Sequence, residues 1–218
     1  MTLFRLDTSI RTEGSVSREV ADSVERAWLA AHPGSAVVRR DLASHPLPAD
    51  AWARAATAGM TPPEGRTPEQ KAAVVLAAEL ADELLAADAA VIGSPLYNYG
   101  VSQHLKTWID LLIADPRLGP GQQPLAGRPL ALVVARGGGY GPGTPREGWD
   151  HATPWLQRIF GDSFGMDVRV VVAELTLAEV NPAMADLRDM AAQSRSDAHA
   201  LAEAAGRDFA GRALAASA

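Results

Sequence analysis

The chain has 218 residues, 47% of them hydrophobic and 21% charged, proportions that suit one ordinary globular α/β domain able to bury a full core unaided. It contains no Cys, which excludes disulfides, thiolate metal sites and a Cys nucleophile and suits a reducing cytoplasm. The net charge of −6 is spread rather than blocked, and the start MTLFRLDTSI lacks the features of a signal peptide, so neither a nucleic-acid nor a membrane partner is expected and a cytoplasmic location is.

Thr2–Asp7 reads as a short strand and Thr8–Gly14 as a polar loop. A helix follows from about Ser15 to Ala31, with Val16, Val20, Val24 and Trp28 at i+4 spacing on its apolar face. Pro33-Gly34 stops it, and Ser35–Leu42 is a second strand. The Pro-rich tract from His45 to Pro68 is a long excursion with a short helix around Ala49–Ala58, long enough to suggest a functional or interfacial role. Thr67, Pro68 and Gln70 form a capping box that opens a helix running to about Ala87.

Ala89–Gly93 is a buried strand, Ser94–Gly100 a sharp turn, and a helix begins near Ser102 with Leu105, Trp108, Ile109 and Leu112 on one face. The turn carries Tyr97, Asn98 and Tyr99 where a mere connection would use Gly, Asp or Ser, and two aromatics with an amide suggest a flat, hydrogen-bonding ligand. After the Pro/Gly-rich stretch Asp115–Pro129 comes a fourth strand, Leu130–Ala135. It ends in the glycine run Arg136–Gly143, which reads either as a mobile surface loop or as backbone that comes close to a ligand. A helix near Asp150–Phe160, a fifth strand Val168–Glu174 and a long helix from about Pro182 complete the alternation. Five strands alternating with helices predict a parallel sheet covered on both faces.

Loops Thr8–Ser17, Ser94–Gly100 and Arg136–Gly143 then fall on one sheet edge, where open α/β sheets bind ligands. Ser9, Ser15 and Ser17, with the free N–H groups of a helix start, suit a phosphate without Lys. Ser15 taken by itself serves equally as a plain N-cap. No histidine pair has metal-ligand spacing, and neither a nucleophile elbow nor a Walker loop is present.

The set Ser9, Ser15-Val16-Ser17, Pro95-Leu96-Tyr97-Asn98-Tyr99 with Leu105-Lys106 and Asp110, then Arg136-Gly137-Gly138, resembles the FMN-dependent NADH:quinone oxidoreductases known as azoreductases. The resemblance runs from Leu3 to the last helix, and the P-x-Y-N-[FY] turn is its specific part. It implies a flavodoxin-like fold with strand order 2-1-3-4-5, one FMN-binding domain and a homodimer with FMN at the interface. It also implies that Ser15 and Ser17 hold the phosphate, with Ser9, Val16, Pro95, Leu96, Tyr97, Asn98, Tyr99, Ala135, Arg136, Gly137 and Gly138 around the cofactor. NADH or NADPH would then reduce FMN, and a small aromatic acceptor such as a quinone or azo compound would take two electrons by a ping-pong mechanism. Tyr140 is a candidate proton donor to a reduced quinone, or else a surface loop residue. Trp52, Leu111 and the Pro-rich excursion are candidate dimer contacts.

Three departures stand out: Val16 replaces a common Gln, Ala135 a common small hydroxyl residue, and Asp115–Gly127 lacks the aromatic-rich segment that often walls the acceptor site. Asp162 falls where an aromatic residue covering the partner's flavin is expected, unless Phe160 or Phe164 fills that role. A flavin-binding electron carrier or redox sensor, or a reductase dedicated to one biosynthetic aromatic substrate, is the alternative.

Overall fold

The structure, a computed structural model, describes residues 1–217. Five strands, β1 (Thr2–Asp7), β2 (Ala36–Asp41), β3 (Ala89–Pro95), β4 (Pro129–Ala135) and β5 (Asp167–Ala173), form one parallel sheet in the order β2-β1-β3-β4-β5. Helices α1 (Val16–Ala31), α2 (Ala51–Gly59), α3 (Pro68–Leu85), α4 (Gln103–Ala114), α5 (Thr153–Gln157) and α6 (Arg188–Ser217) cover it. The expected strand order is therefore present. Every residue of β3 and β4 is buried, which is why these strands read as unbroken apolar runs rather than alternating ones.

Alternate strand residues feed two cores. Phe4, Leu6, Ile92 and Leu132 pack with Leu80, Leu84, Trp108 and Phe160 on one face, where Phe4 and Trp108 stack at 5.9 Å. Leu3, Val91 and Val133 pack with Val20, Val24, Trp28 and Phe209 on the other, between the sheet and the α1–α6 pair. Gly206 in α6 makes that pair possible. A Cβ there would overlap the Val24 carbonyl oxygen and lie 2.8 Å from the Ala27 methyl.

Local signals set most boundaries. The capping box is complete, with Gln70 N donating to Thr67 Oγ1 at 3.2 Å and Thr67 N to Gln70 Oε1 at 3.0 Å. Ser102 caps α4 by accepting from Leu105 N at 3.1 Å. The helix expected over 150–160 begins later, at Thr153, because Asp150 accepts from the N–H groups of Ala152 and Thr153. It continues as a π-helical turn, Arg158–Ser163, that directs Phe160 and the following Phe164 into the core. Leu111 is also a core residue, fully buried, so it is not available as a dimer contact; Trp52 is 48% exposed. Among the described residues no helix is long and apolar enough to cross a membrane.

Pairing of Asp7 with Gly93, Pro95 with Ala135 and Ala135 with Ala173 aligns the carboxyl ends of β1, β3, β4 and β5. The loops that follow these strands meet at that edge.

Candidate functional site

The loop between β1 and α1 is held from below by a charge network. Arg5 and Asp7, two residues apart on one face of β1, are buried and paired, with Nε to Oδ2 at 2.9 Å. Arg5 also reaches Asp22 and Glu25 on α1. Arg18 forms a two-pronged pair with Asp41 at 2.8 and 2.9 Å and donates to the carbonyls of Ser9 (3.0 Å) and Arg11 (2.9 Å). The Arg18 hydrogen bond holds the Asp41 carboxyl far below the usual carboxylate range. Burial pushes Asp7 the other way, upward, and outweighs the opposing pull of Arg5 and Arg18. Arg18 therefore fixes the loop's backbone from outside, leaving its serines turned to the cleft.

Within this loop the Ser15 and Ser17 hydroxyls lie 3.3 Å apart, and both residues are buried. The first helical hydrogen bond runs from Glu19 N to Ser15 O, and the Ser15 side chain caps no N–H. The N–H groups at the start of α1 thus stay free beside two hydroxyls, an arrangement suited to an anion. Ser15 therefore occupies the N-cap position without a side-chain capping hydrogen bond.

The turn after β3 brings its own strain. Tyr97 and Gly100 exchange hydrogen bonds at 3.1 and 2.9 Å, closing a tight reversal in which Asn98 (φ 48°) and Tyr99 (φ 67°) both occupy the left-handed region. Asn tolerates it, whereas Tyr does so at a cost on the order of 1 kcal/mol. The Tyr99 carbonyl is held by His151 N at 2.9 Å. The Tyr97 hydroxyl meets the Ser9 hydroxyl at 3.3 Å and accepts from Ile10 N at 3.2 Å, tying this turn to the serine loop.

The glycine run after β4 is ordered by pairing with the segment after β5. Thr176 N donates to Arg136 O (3.0 Å), Leu177 N to Gly137 O and Leu175 N to Gly138 O (3.3 Å each). A Cβ on Gly137 would lie 2.8 Å from Leu177 Cδ1, so a larger residue there would have to push the Leu177 side chain aside. Among the described residues the N–H groups of Gly137 and Gly138 have no protein partner. The Arg136 side chain turns away, to Asp150 (2.6 Å), Glu174 (3.0 Å) and Thr153 (3.1 Å). Glu174 also accepts from Tyr140 N at 3.0 Å, so the pairs of Arg136 hold the loop by both ends.

These loops enclose a cleft with two compartments. The first, about 230 Å³, is lined by Ser9, Ser15, Val16, Ser17, Leu96 and Tyr97 among others. The second, about 330 Å³, is lined by Asn98, Tyr99, Gly138, Tyr140 and Arg146 among others, and shares Leu96, Gly137 and Leu177 with the first. One end offers hydroxyls and a helix start, the other aromatic faces and free N–H groups.

A family model described as flavodoxin-like fold matches residues 1–198. An FMN-dependent NADH:quinone oxidoreductase from Frankia alni is 43% identical over 197 residues, covering 89% of this chain and 93% of the relative. The chain belongs to this family. Another member so named, from Streptomyces avermitilis, is 38% identical over 213 residues and covers 97% of this chain and 98% of its own length. The crystal structure of an azoreductase from Bacillus anthracis str. Sterne superposes with a TM-score of 0.77 at 25% identity, covering 95% of this chain and 99% of that one.

Against the family pattern, the structure gathers Ser9, Ser15, Val16, Ser17, Pro95, Leu96, Tyr97, Ala135 and Gly137 around the first compartment, and Asn98, Tyr99, Gly138 and Tyr140 around the second. Arg136 is corrected: it lines neither compartment, and its side chain pairs with Asp150 and Glu174. Phe160 and Phe164 are also corrected. They are 0% and 1% exposed, with ring centroids 5.9 Å apart, and Trp108 lies against Phe160, so covering a flavin would require unpacking the core. Asp162 is exposed; its carboxylate lies 3.5 Å from Arg158 and its carbonyl accepts from Gln123. It sits near the amino ends of the strands, away from its own chain's cleft. Sequence reasoning missed Arg11, Thr176 and Leu177 in the first compartment, Arg146 in the second, and the Arg18–Asp41 brace. A charged pair at i, i+2 in a strand, as in Arg5-Leu6-Asp7, was the one legible sign of that network.

Proposed function

We propose that this protein is an FMN-dependent oxidoreductase that takes two electrons from NADH and delivers them to a quinone, azo or related aromatic acceptor. The observation that carries this reading is the joined pair of compartments, one built for an anion and one for a flat ring. Ser15, Ser17 and the N–H groups opening α1 suit the FMN phosphate. Leu96, Tyr97 and the free N–H groups of Gly137 and Gly138 suit a flavin's apolar face and polar edge. When bound, FMN supplies the two-electron chemistry, and the protein supplies placement, electrostatics and exclusion of competing reactions. Arg18 and Arg136 hold the walls from behind. Tyr140 lines the second compartment, and in this reading its hydroxyl gives a proton to a reduced acceptor oxygen.

NADH and acceptor stack in turn on the open face of the bound ring, at the mouth of the second compartment, which gives ping-pong kinetics. A second copy of the chain closes the open side of that compartment, with the exposed Trp52 and the Pro-rich excursion as contact candidates. The test has two parts. Replacing both Ser15 and Ser17 by Ala should weaken FMN binding by about 1–3 kcal/mol, the scale for losing two charge-assisted hydrogen bonds. One equivalent of NADH should bleach the flavin absorbance without oxygen, and one equivalent of quinone should restore it. Wild-type FMN affinity in the double variant would place the phosphate elsewhere, and a flavin that NADH leaves oxidised would reject the reductase.

A further inference from the structure

Arg146 stands apart from the other arginines near the site. Among the described residues its side chain makes no hydrogen bond and no ion pair, while its guanidinium lies 5.9 Å from the centre of the Tyr99 ring. It is the only charged residue among those lining the second compartment. The nearby carboxylates are occupied: Asp150 and Glu174 pair with Arg136, and Glu147 accepts from Gly143 N at 2.8 Å. Arg146 is exposed, and among the described residues no carboxylate lies within ion-pair distance of its guanidinium.

The loop that carries Arg146 and the turn after β3 together supply an aromatic wall. The Tyr99 ring meets Trp149 edge-on at 5.2 Å and Tyr140 at 6.3 Å, while Trp149 remains 50% exposed. The Tyr99 backbone is held in the left-handed region by the Tyr97–Gly100 reversal and by His151 N, and its ring packs against Tyr140 and Trp149. A positive charge at one end of an aromatic platform, beside a cleft, favours a flat molecule that carries a negative group.

We propose that Arg146 is a specificity-determining residue that, with Tyr99, Tyr140 and Trp149, forms a subsite for the anionic group of a planar aromatic substrate. This rests on the reductase reading above. The anion is either a sulfonate or carboxylate on the acceptor or a phosphate of the nicotinamide donor, and two matched pairs of substrates separate these sources. The first pair is 1,4-naphthoquinone-2-sulfonate and 1,4-naphthoquinone. The second is NADH and the uncharged 1-benzyl-1,4-dihydronicotinamide.

In Arg146→Gln, kcat/KM for the charged member of the responding pair, relative to its neutral partner, should fall about fivefold, the scale of an ion pair that keeps contact with water. Arg146→Lys should recover part of the ratio, and Arg146→Glu should lower it further. A fall confined to the quinone pair assigns the anion to the acceptor, and one confined to the donor pair assigns it to the donor. Unchanged ratios in both pairs overturn the proposal, however much the individual rates move.

A binding measurement keeps this test separate from the reductase reading. Naphthalene-2-sulfonate and naphthalene-2-carboxamide, neither of them a quinone, can be titrated into the FMN-loaded protein by quenching of tryptophan fluorescence. A selective loss of sulfonate binding in Arg146→Gln supports the subsite even if no quinone is reduced. Intact quinone reduction with equal sulfonate binding in both proteins overturns the subsite alone.

Discussion

Gly206→Ala is the substitution whose sign separates packing from helix propensity. In an exposed helix the change should stabilise by about 1 kcal/mol, because Ala loses less backbone freedom than Gly. Here the new methyl would overlap the Val24 carbonyl oxygen and stand 2.8 Å from Ala27 Cβ and 3.2 Å from Trp28 N. Two of those three atoms are backbone and have no rotamer to escape into, so α1 and α6 must move apart, by roughly 1 Å to restore ordinary contact. That loosens an interface whose Val20, Val24, Trp28, Ala202, Ala205 and Phe209 are all buried. Overpacking of this kind costs about 1–3 kcal/mol, and a rigid obstacle belongs at the upper end. Offset by propensity, the net loss is about 2 kcal/mol. For a chain of this size it should lower Tm by about 4–8 °C, measured by calorimetry on the FMN-free protein. The contact begins two turns beyond Ser17, about 10 Å along α1, so FMN affinity measured well below the transition should change by less than about twofold. A Tm equal to or above that of the wild type would refute the reasoning.

Asp41→Asn tests the brace through pH. Because the folded-state pKa of Asp41 is depressed by Arg18, its contribution to stability is present above the unfolded value near pH 4 and is lost as pH falls from there toward the folded value. The variant should be less stable at pH 7 but lose less between about pH 5 and pH 2, as urea midpoints at each pH would show; parallel wild-type and variant curves would mean that the pair does not contribute. The second copy proposed at the cleft should appear in light scattering as a mass of two chains at micromolar concentration, and a fully active monomer would reject it.

Much of the site could be read from the chain because its signals are local. The Thr67 capping box, the buried run before Gly93, the crowded turn 97–99 and the glycine run each depend on residues within a few positions of one another. Alternation of strand and helix then fixed which loops share an edge. What escaped was non-local. Arg18 and Asp41 lie on different elements, and the partner of the glycine run, Leu175–Leu177, carries no motif of its own. The ion pairs of the Arg136 side chain escaped as well, since nothing adjacent to it in sequence reveals Asp150 or Glu174 as partners. Phe160 and Phe164 failed for a similar reason: an aromatic residue near a site in sequence reads the same whether the turn that carries it points in or out.

The pairing of the glycine run with residues 175–177 has a consequence for how the protein is made. One wall of the cleft comes from the first strand-to-helix loop and another from a segment that leaves the ribosome only after β5, so the cleft is incomplete until nearly the whole sheet has been synthesised. A cofactor that binds such a cleft cannot assist early steps of folding, and it stabilises only chains that have finished. FMN occupancy in a cell would thus count completed molecules, and variants that fray β5 would be recognised first by their loss of colour rather than by their loss of secondary structure.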